Sequence, residues 1–369
     1  LVKGYVMPSL DKINVEPTVS TPNVLSNSSV SGSTIDSHPK VLKKPNRRKR
    51  VSQRGMRSRK KSALARKRKL QWRKEVESKI ASVRTKARLK GVDVDFLSYT
   101  SYFPDAVEKV VPKLLDIVSD GGGKRLEPSD YTFKFIVWLG SSNNVRIYVH
   151  SNRGSARDVM VSYVPSKFSK YTINKLKKLF DFLFDEGLQD MLNVAVITRV
   201  DICANYYGVK KEDILIDVKR MMKSSVHLFN GKSESEYVGN KKTSHWIMYE
   251  KVDNDGEQYI RIEFRSKKKY DTNLVDIASV VDVFENISVY DAEAIEISSD
   301  MPEMFVVAAQ CCGLKALMKR FVLSKDQEWV LRQSKSSWFS ADAIVRRFER
   351  RLGRYSMLLP EGVVNLSKK

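Results

Sequence analysis

Between residues 40 and 90 the chain carries 23 Lys and Arg against two acids, Glu75 and Glu77, a net charge of +21. A stretch of that charge density cannot build its own core, because a buried cation loses its hydration unless a partner replaces it. The flanks differ. Residues 1–39 hold two Lys and three acids, and residues 91–369 hold 41 basic and 38 acidic residues, so the total of +23 describes one arm and not the whole chain. The nearly neutral remainder is long enough to bury a sizeable core. The full 369 residues allow roughly two or three domains at about 100–200 residues each.

Residues 1–39 include eight Ser and four Pro and no hydrophobic period, so disorder is expected. A basic coil containing Arg47, Arg48, Lys49 and Arg50 continues to residue 61. Beyond it Trp72, Val76, Ile80, Val83 and Ala87 recur at helical spacing. That predicts a basic amphipathic helix over 63–90, with Gly91 as its C-cap. The chain then divides into 1–61, disordered and basic from 40; 62–91, the helix; 92–270, the principal domain; and 271–369, mainly helical.

No apolar run of about 18 residues occurs, so no membrane association is expected. Nor does the N-terminus show an apolar run of signal-peptide length. An initial Leu fits a non-standard start codon or a fragment. Three cysteines, Cys203, Cys311 and Cys312, make neither a disulfide framework nor a zinc spacing, which suits a reducing cytosol. Cys311-Cys312 reads as core. His38, His150, His227 and His245 are too scattered for a short metal motif. Gly121-Gly122-Gly123-Lys124 lacks the phosphate-loop pattern.

From residue 92 the periods alternate. Strands are predicted at Val92–Thr100, Tyr131–Leu139, Val145–His150, Val159–Val164, Asn193–Tyr207, Trp246–Lys251 and Tyr259–Arg265. Helices are predicted at Asp105–Val118 (with a kink at Pro112), Thr172–Glu186, Lys211–Lys223, Met304–Val322 and Ser340–Leu352. The fold class is α+β: a mainly antiparallel sheet covered by helices, with a helical C-terminal region and a disordered basic N-terminal arm.

Three segments could carry chemistry. In 198–206 strand alternation places Arg199, Asp201, Cys203 and Asn205 on one face. A charged Asp201 on a central strand needs a partner, either an arginine such as Arg199 or a metal. In 259–265 Arg261, Glu263 and Arg265 share a face, which is either a solvated surface or a site. Asp201 and Glu263 on neighbouring strands could hold a hard cation, since Mg²⁺ is bound through one or two carboxylates, water and substrate phosphate. The arginines suit phosphate oxygens. In 237–251 a Gly-Asn-Lys-Lys-Thr-Ser turn leads into a strand that presents His245, Ile247, Tyr249 and Lys251 together. Tyr249 is either an ordinary strand residue or a phosphoryl acceptor, activated by a base or by the positive field of Lys251 and Arg261.

In this order the three segments resemble the replication initiation factor family of filamentous phages and rolling-circle plasmids. Thr198–Ile202 resembles the family's Arg-hydrophobic-Asp motif. Residues 237–251 resemble its Gly-Ser-Arg-x-Ser…Ile-Tyr-Asn/Asp-Lys pattern, and Arg261-Ile-Glu-Phe its Arg-hydrophobic-Glu. Val94-Asp95-Phe96-Leu97 is similar to the domain start. The likeness covers about 92–270. Asn205 stands where the family often has a second Asp, and Gly-Asn-Lys replaces Gly-Ser-Arg. The basic arm lies outside the match.

The resemblance implies an origin-nicking enzyme that leaves a 5′-phosphotyrosine and a 3′-OH primer and later rejoins strands. Tyr249 would be the nucleophile, with Lys251 and Arg261 stabilising phosphate or tyrosinate. Asp201 and Glu263 would hold Mg²⁺ or Mn²⁺, and Asn205, Arg199 and Arg265 would contact metal or phosphate. Arg47, Arg48, Lys49, Arg50, Lys241 and Lys242 would bind DNA. Implied partners are double-stranded origin DNA, single-stranded DNA, and host helicase and polymerase, in a bacterial cytoplasm; a homodimer is compatible. The alternatives are a non-catalytic phage DNA-binding regulator that kept the fold, and a eukaryotic RNA-binding protein with Arg47–Arg50 as nuclear signal. The second lacks the aromatic motif of an RNA-recognition sheet.

Overall fold

The computed structural model describes residues 53–363 apart from 141, 153, 155–156, 220–223, 230–231, 241, 267–271, 298–300, 302–303 and 362, with backbone alone for 53–60, 224–229 and 232–234. The first elements are α1 (Gln53–Val83), β1 (Arg88–Ser101), α2 (Ala106–Ser119), β2 (Gly123–Leu126), β3 (Tyr131–Trp138), β4 (Asn144–Ser151) and β5 (Val159–Tyr163). Next come α3 (Lys170–Phe184), α4 (Leu188–Asn193), β6 (Val196–Tyr207), β7 (Ile214–Val218), β8 (Ser224–Phe229), β9 (Lys232–Asn240), β10 (Ser244–Val252) and β11 (Gln258–Ser266). After a 3-10 segment at Leu274–Asn286 follow β12 (Ile287–Asp291), α5 (Ala292–Glu296), α6 (Phe305–Cys312), α7 (Leu314–Arg320), α8 (Lys325–Gln333) and α9 (Ala341–Leu352).

This is an α+β protein. Ten strands form one sheet in the order β2-β3-β4-β5-β1-β6-β11-β10-β9-β8, and every neighbouring pair is antiparallel. β12 and β7 pair separately. One sheet face is apolar. Its rows Trp246–Phe264–Ile202–Val94 and Phe135–Ile147–Val161–Tyr99 lie in the main core. Ile173, Leu176 and Phe180 of α3, Val110 and Leu114 of α2, Phe284, and Ile344 and Phe348 of α9 complete that core. A second core joins Val76 and Ile80 of α1 to Leu215, Ile295, Phe305, Leu317 and Val330. The C-terminal helices therefore share both cores with the sheet and the first helix.

Several elements differ from the sequence reading. The first helix ends at Val83, and β1 begins at Arg88. Gly91 is thus a strand residue opposite Asn205 and not a helix cap. Residues 214–218 are a strand where a helix over 211–223 was expected. Ile214, Leu215, Ile216 and Val218 are all buried and pair with β12, and so short a two-sided apolar run fits either period. Met304–Val322 is two helices, because Gly313 turns to a φ of +84° between them. Cys311 is exposed and Cys312 half-buried, so only the latter touches a core. The helix expected at Asp105–Val118 is present as Ala106–Ser119, with Pro112 inside it. The Arg47–Arg50 cluster and Lys241 lie outside the described residues.

Candidate active site on the polar sheet face

Residues directly opposite one another in an antiparallel pair share a face, so register decides which side chains meet. Tyr249 on β10 stands opposite Arg261 on β11, and Arg261 opposite Asn205 on β6. The next row on this face is Ile247–Glu263–Cys203, and the next His245–Arg265–Asp201. The rows between them belong to the core. The register therefore brings Asp201, Glu263 and Tyr249 to one polar face.

The carboxylates form the floor and the cations lie over them. Glu263 is fully buried and Asp201 nearly so, whereas Arg199 and Arg265 keep 33% and 31% of their side-chain surface. Arg199 donates to both Asp201 oxygens, at 3.1 and 2.5 Å, and lies 4.3 Å from the centre of the Phe96 ring. Arg265 donates from Nε to Glu263 Oε1 at 2.6 Å and stands 3.8 Å from Asp201. The half-buried Tyr249 donates its hydroxyl to the other Glu263 oxygen, Oε2, at 2.8 Å. Arg261 donates to Asn205 Oδ1 at 2.9 Å and pairs with Asp95 at 3.1 Å. The Lys251 ammonium is 5.4 Å from the centre of the Tyr249 ring.

Asp95 is the site residue that sequence reasoning missed. It sits where the β1–β6 register shifts between Val94 and Phe96, and its other oxygen accepts from Ser166 at 2.7 Å. Its signal was the Asp93/Asp95 alternation at the domain start. A register shift that turns one of those acids toward Arg261 is not visible in a one-strand pattern.

Burial raises the Asp201 pKa in spite of the Arg199 pair, and the charge of Glu263 adds to the rise. Burial also favours the neutral form of Asp95, but Arg261, the Ser166 bond and Lys251 outweigh it and hold that carboxyl below its ordinary value. Tyr249 is pushed up, first by burial and then by the charge of Glu263 and the bond to it. The phenol keeps its proton at neutral pH until a base accepts it. Lys251 is lowered by burial and by Arg261.

The donor set does not fit a divalent cation as it stands. Both Asp201 oxygens face Arg199, and the two Glu263 oxygens are taken by Arg265 and Tyr249. Among the described residues no group of three or more His, Cys, Asp or Glu could hold a metal. Lys242 is exposed in the turn that enters β10 at Ser244, roughly 17 Å along the strand from Tyr249, and is not part of this cluster. No helix among the described residues is long and apolar enough to cross a membrane. A scan against protein-family models finds no family that matches the chain, and no curated protein matches it.

Proposed function

We propose that the chain initiates rolling-circle DNA replication by nicking one strand at an origin, with Tyr249 as the nucleophile. The observation that carries this reading is the 2.8 Å hydrogen bond from the Tyr249 hydroxyl to a fully buried carboxylate, Glu263, on a partly open face rich in cations. A nucleophile within hydrogen-bond reach of a base that a third group orients is the arrangement covalent catalysis needs, and Arg265 is that third group. The Tyr249 oxygen attacks the scissile phosphorus as its proton passes to Glu263. The bond from phosphorus to the 3′ oxygen breaks, and Glu263 returns the proton to that oxygen. The products are a 5′-phosphotyrosine and a free 3′-OH. Arg261 and Lys251 stand beside Tyr249 to neutralise charge on the phosphoryl oxygens. The phosphotyrosine keeps the phosphodiester energy for rejoining.

No step of this proposal runs through a metal. A Mg²⁺ or Mn²⁺ requirement would mean that Arg199 or Arg265 leaves its carboxylate when DNA arrives. In this reading the partners are double-stranded origin DNA and the single strand exposed there. Host helicase and polymerase follow the nick in a bacterial cytoplasm, and the chain works alone or as a homodimer.

The second reading is a DNA-binding regulator without catalysis. The saturated carboxylates favour it, since a purely structural arginine–carboxylate lattice would look the same. The test is a supercoiled plasmid carrying the chain's own gene and flanking DNA, incubated with Mg²⁺, Mn²⁺ or chelator. The proposal expects open circles and a protein–DNA species that survives detergent. Tyr249→Phe should abolish both and leave DNA binding intact. Binding without nicking under every condition would favour the regulator.

A further inference from the structure

The face that carries Tyr249 continues across the other half of the sheet. Register carries it from Arg199 to Ser98, Ser162, Arg146, Ile136 and Lys124, one residue per strand from β6 to β2. A parallel row runs Thr100, Met160, Tyr148, Lys134 and Leu126. Trp138, two residues beyond Ile136, shares that face opposite Asn144.

The opposite side of these strands is core. On this side Lys124 and Arg146 are exposed, Tyr148, Lys134, Ile136 and Met160 are half-buried, and Trp138 is 49% exposed. Ser98 and Ser162 are the low, buried positions between Arg199 and Arg146. Lys134 lies 5.6 Å from the centre of the Tyr148 ring, and Tyr148 lies 5.7 Å from Tyr131. Strands β2 to β5 contain Lys124, Arg125, Lys134 and Arg146 and no acidic residue.

An open antiparallel face that alternates aromatic rings with cations matches a chain that alternates bases with phosphates. It suits unpaired bases in particular, because a duplex hides its base faces from side chains. We infer that the β2–β5 face is a binding platform for single-stranded DNA, in which Trp138 and Tyr148 stack on bases and Arg146, Lys124 and Lys134 hold phosphates. The row ending at Arg199 delivers that strand to the tyrosine. From β3 to β10 the path is six strand steps, roughly 29 Å along the sheet. The choice of DNA over RNA rests on the reading of Tyr249; the stacking face does not.

The test uses the full chain carrying Tyr249→Phe, in chelator and at about 0.3 M salt, where contacts of the basic arm to phosphate are weakened. Trp138 is the most exposed of the five tryptophans, so quenching of its fluorescence reports the platform. Oligo-dT should quench it, and Trp138→Phe should remove the quench while changing affinity less than about threefold. Trp138→Ala and Tyr148→Ala should each weaken binding about tenfold, and Arg146→Glu should do so more at low salt than at high. A duplex of equal length should quench little, and oligo-rU should bind no tighter than oligo-dT. Unchanged affinity in both alanine variants, or equal quenching by duplex, would overturn the platform. Tighter binding of oligo-rU would overturn the assignment to DNA. Because Tyr249 is already replaced, none of these outcomes depends on nicking.

Discussion

Tyr249 and Tyr355 make the same hydrogen bond: each hydroxyl reaches a carboxylate oxygen at 2.8 Å, Glu263 in one case and Asp93 in the other. Each carboxylate also accepts from an arginine Nε, Arg265 at 2.6 Å and Arg351 at 2.9 Å. The surroundings differ. Tyr355 is buried, its hydroxyl also lies 3.1 Å from the Pro165 carbonyl, and it fastens the end of α9 to β1 and to the turn after β5. Tyr249 is half-buried. Around it Arg199, Arg261, Arg265 and Lys251 face Asp95, Asp201 and Glu263, four cations against three carboxylates. Burial raises the pKa of both phenols. The bond marks a nucleophile only together with the open, cationic face on which Tyr249 makes it. What separates the two is access and a surplus of positive charge where a phosphate would sit.

Removing the base separates the two tyrosines most strongly. Glu263→Gln should lower covalent adduct formation by about 10² to 10⁴-fold, measured by detergent-resistant label transfer, and leave oligonucleotide affinity in place. If adduct forms at the wild-type rate, Glu263 is as structural as Asp93. The matching change on the other trio, Asp93→Ala, should cost stability instead. It strands the mostly buried Arg351 and should lower unfolding free energy by about 3 kcal/mol, read by denaturant titration, with the adduct per folded molecule unchanged.

A third carboxylate sharpens the contrast further. Burial raises Glu236, opposite Met248 on β9, to about 7, with the charge of Lys211 opposing the shift. The folded chain then keeps this proton between about pH 4.5 and 7 while the unfolded chain releases it. Stability should fall across that window by up to about 3 kcal/mol as pH rises. Glu236→Gln should remove that part of the slope in melts taken from pH 4.5 to 8.

The smallest effect on chemistry belongs to the arm. Deleting residues 1–52 removes nine Lys and Arg. It should weaken duplex binding and flatten its salt dependence, while adduct at low salt remains detectable by gel. Complete loss in a still-folded truncation would place the arm in the active machinery.

Much of the face was legible in one dimension. Strict alternation in 259–265 and 245–251 is enough to put Glu263 with Arg261 and Arg265, and Tyr249 with Lys251, because a strand has only two sides. Pairing order is not legible that way. Nothing local says that β1 lies between β5 and β6, and so nothing announces Asp95 beside Arg261 or the rows leading to Trp138. Ile214–Val218 reads equally as helix or strand, because four of its five residues are buried, on both sides of the strand, and so short an apolar run carries no period. The Asp93–Arg351–Tyr355 trio joins positions about 260 residues apart that no motif connects.

Trapping the adduct on labelled origin DNA, digesting the protein and identifying the modified peptide by mass tests directly whether Tyr249 is the nucleophile. A nucleotide 5′-phosphate is expected on Tyr249, within the Ser244–Val252 strand. A nucleotide on another tyrosine, or an adduct retained in full by Tyr249→Phe, would contradict that role.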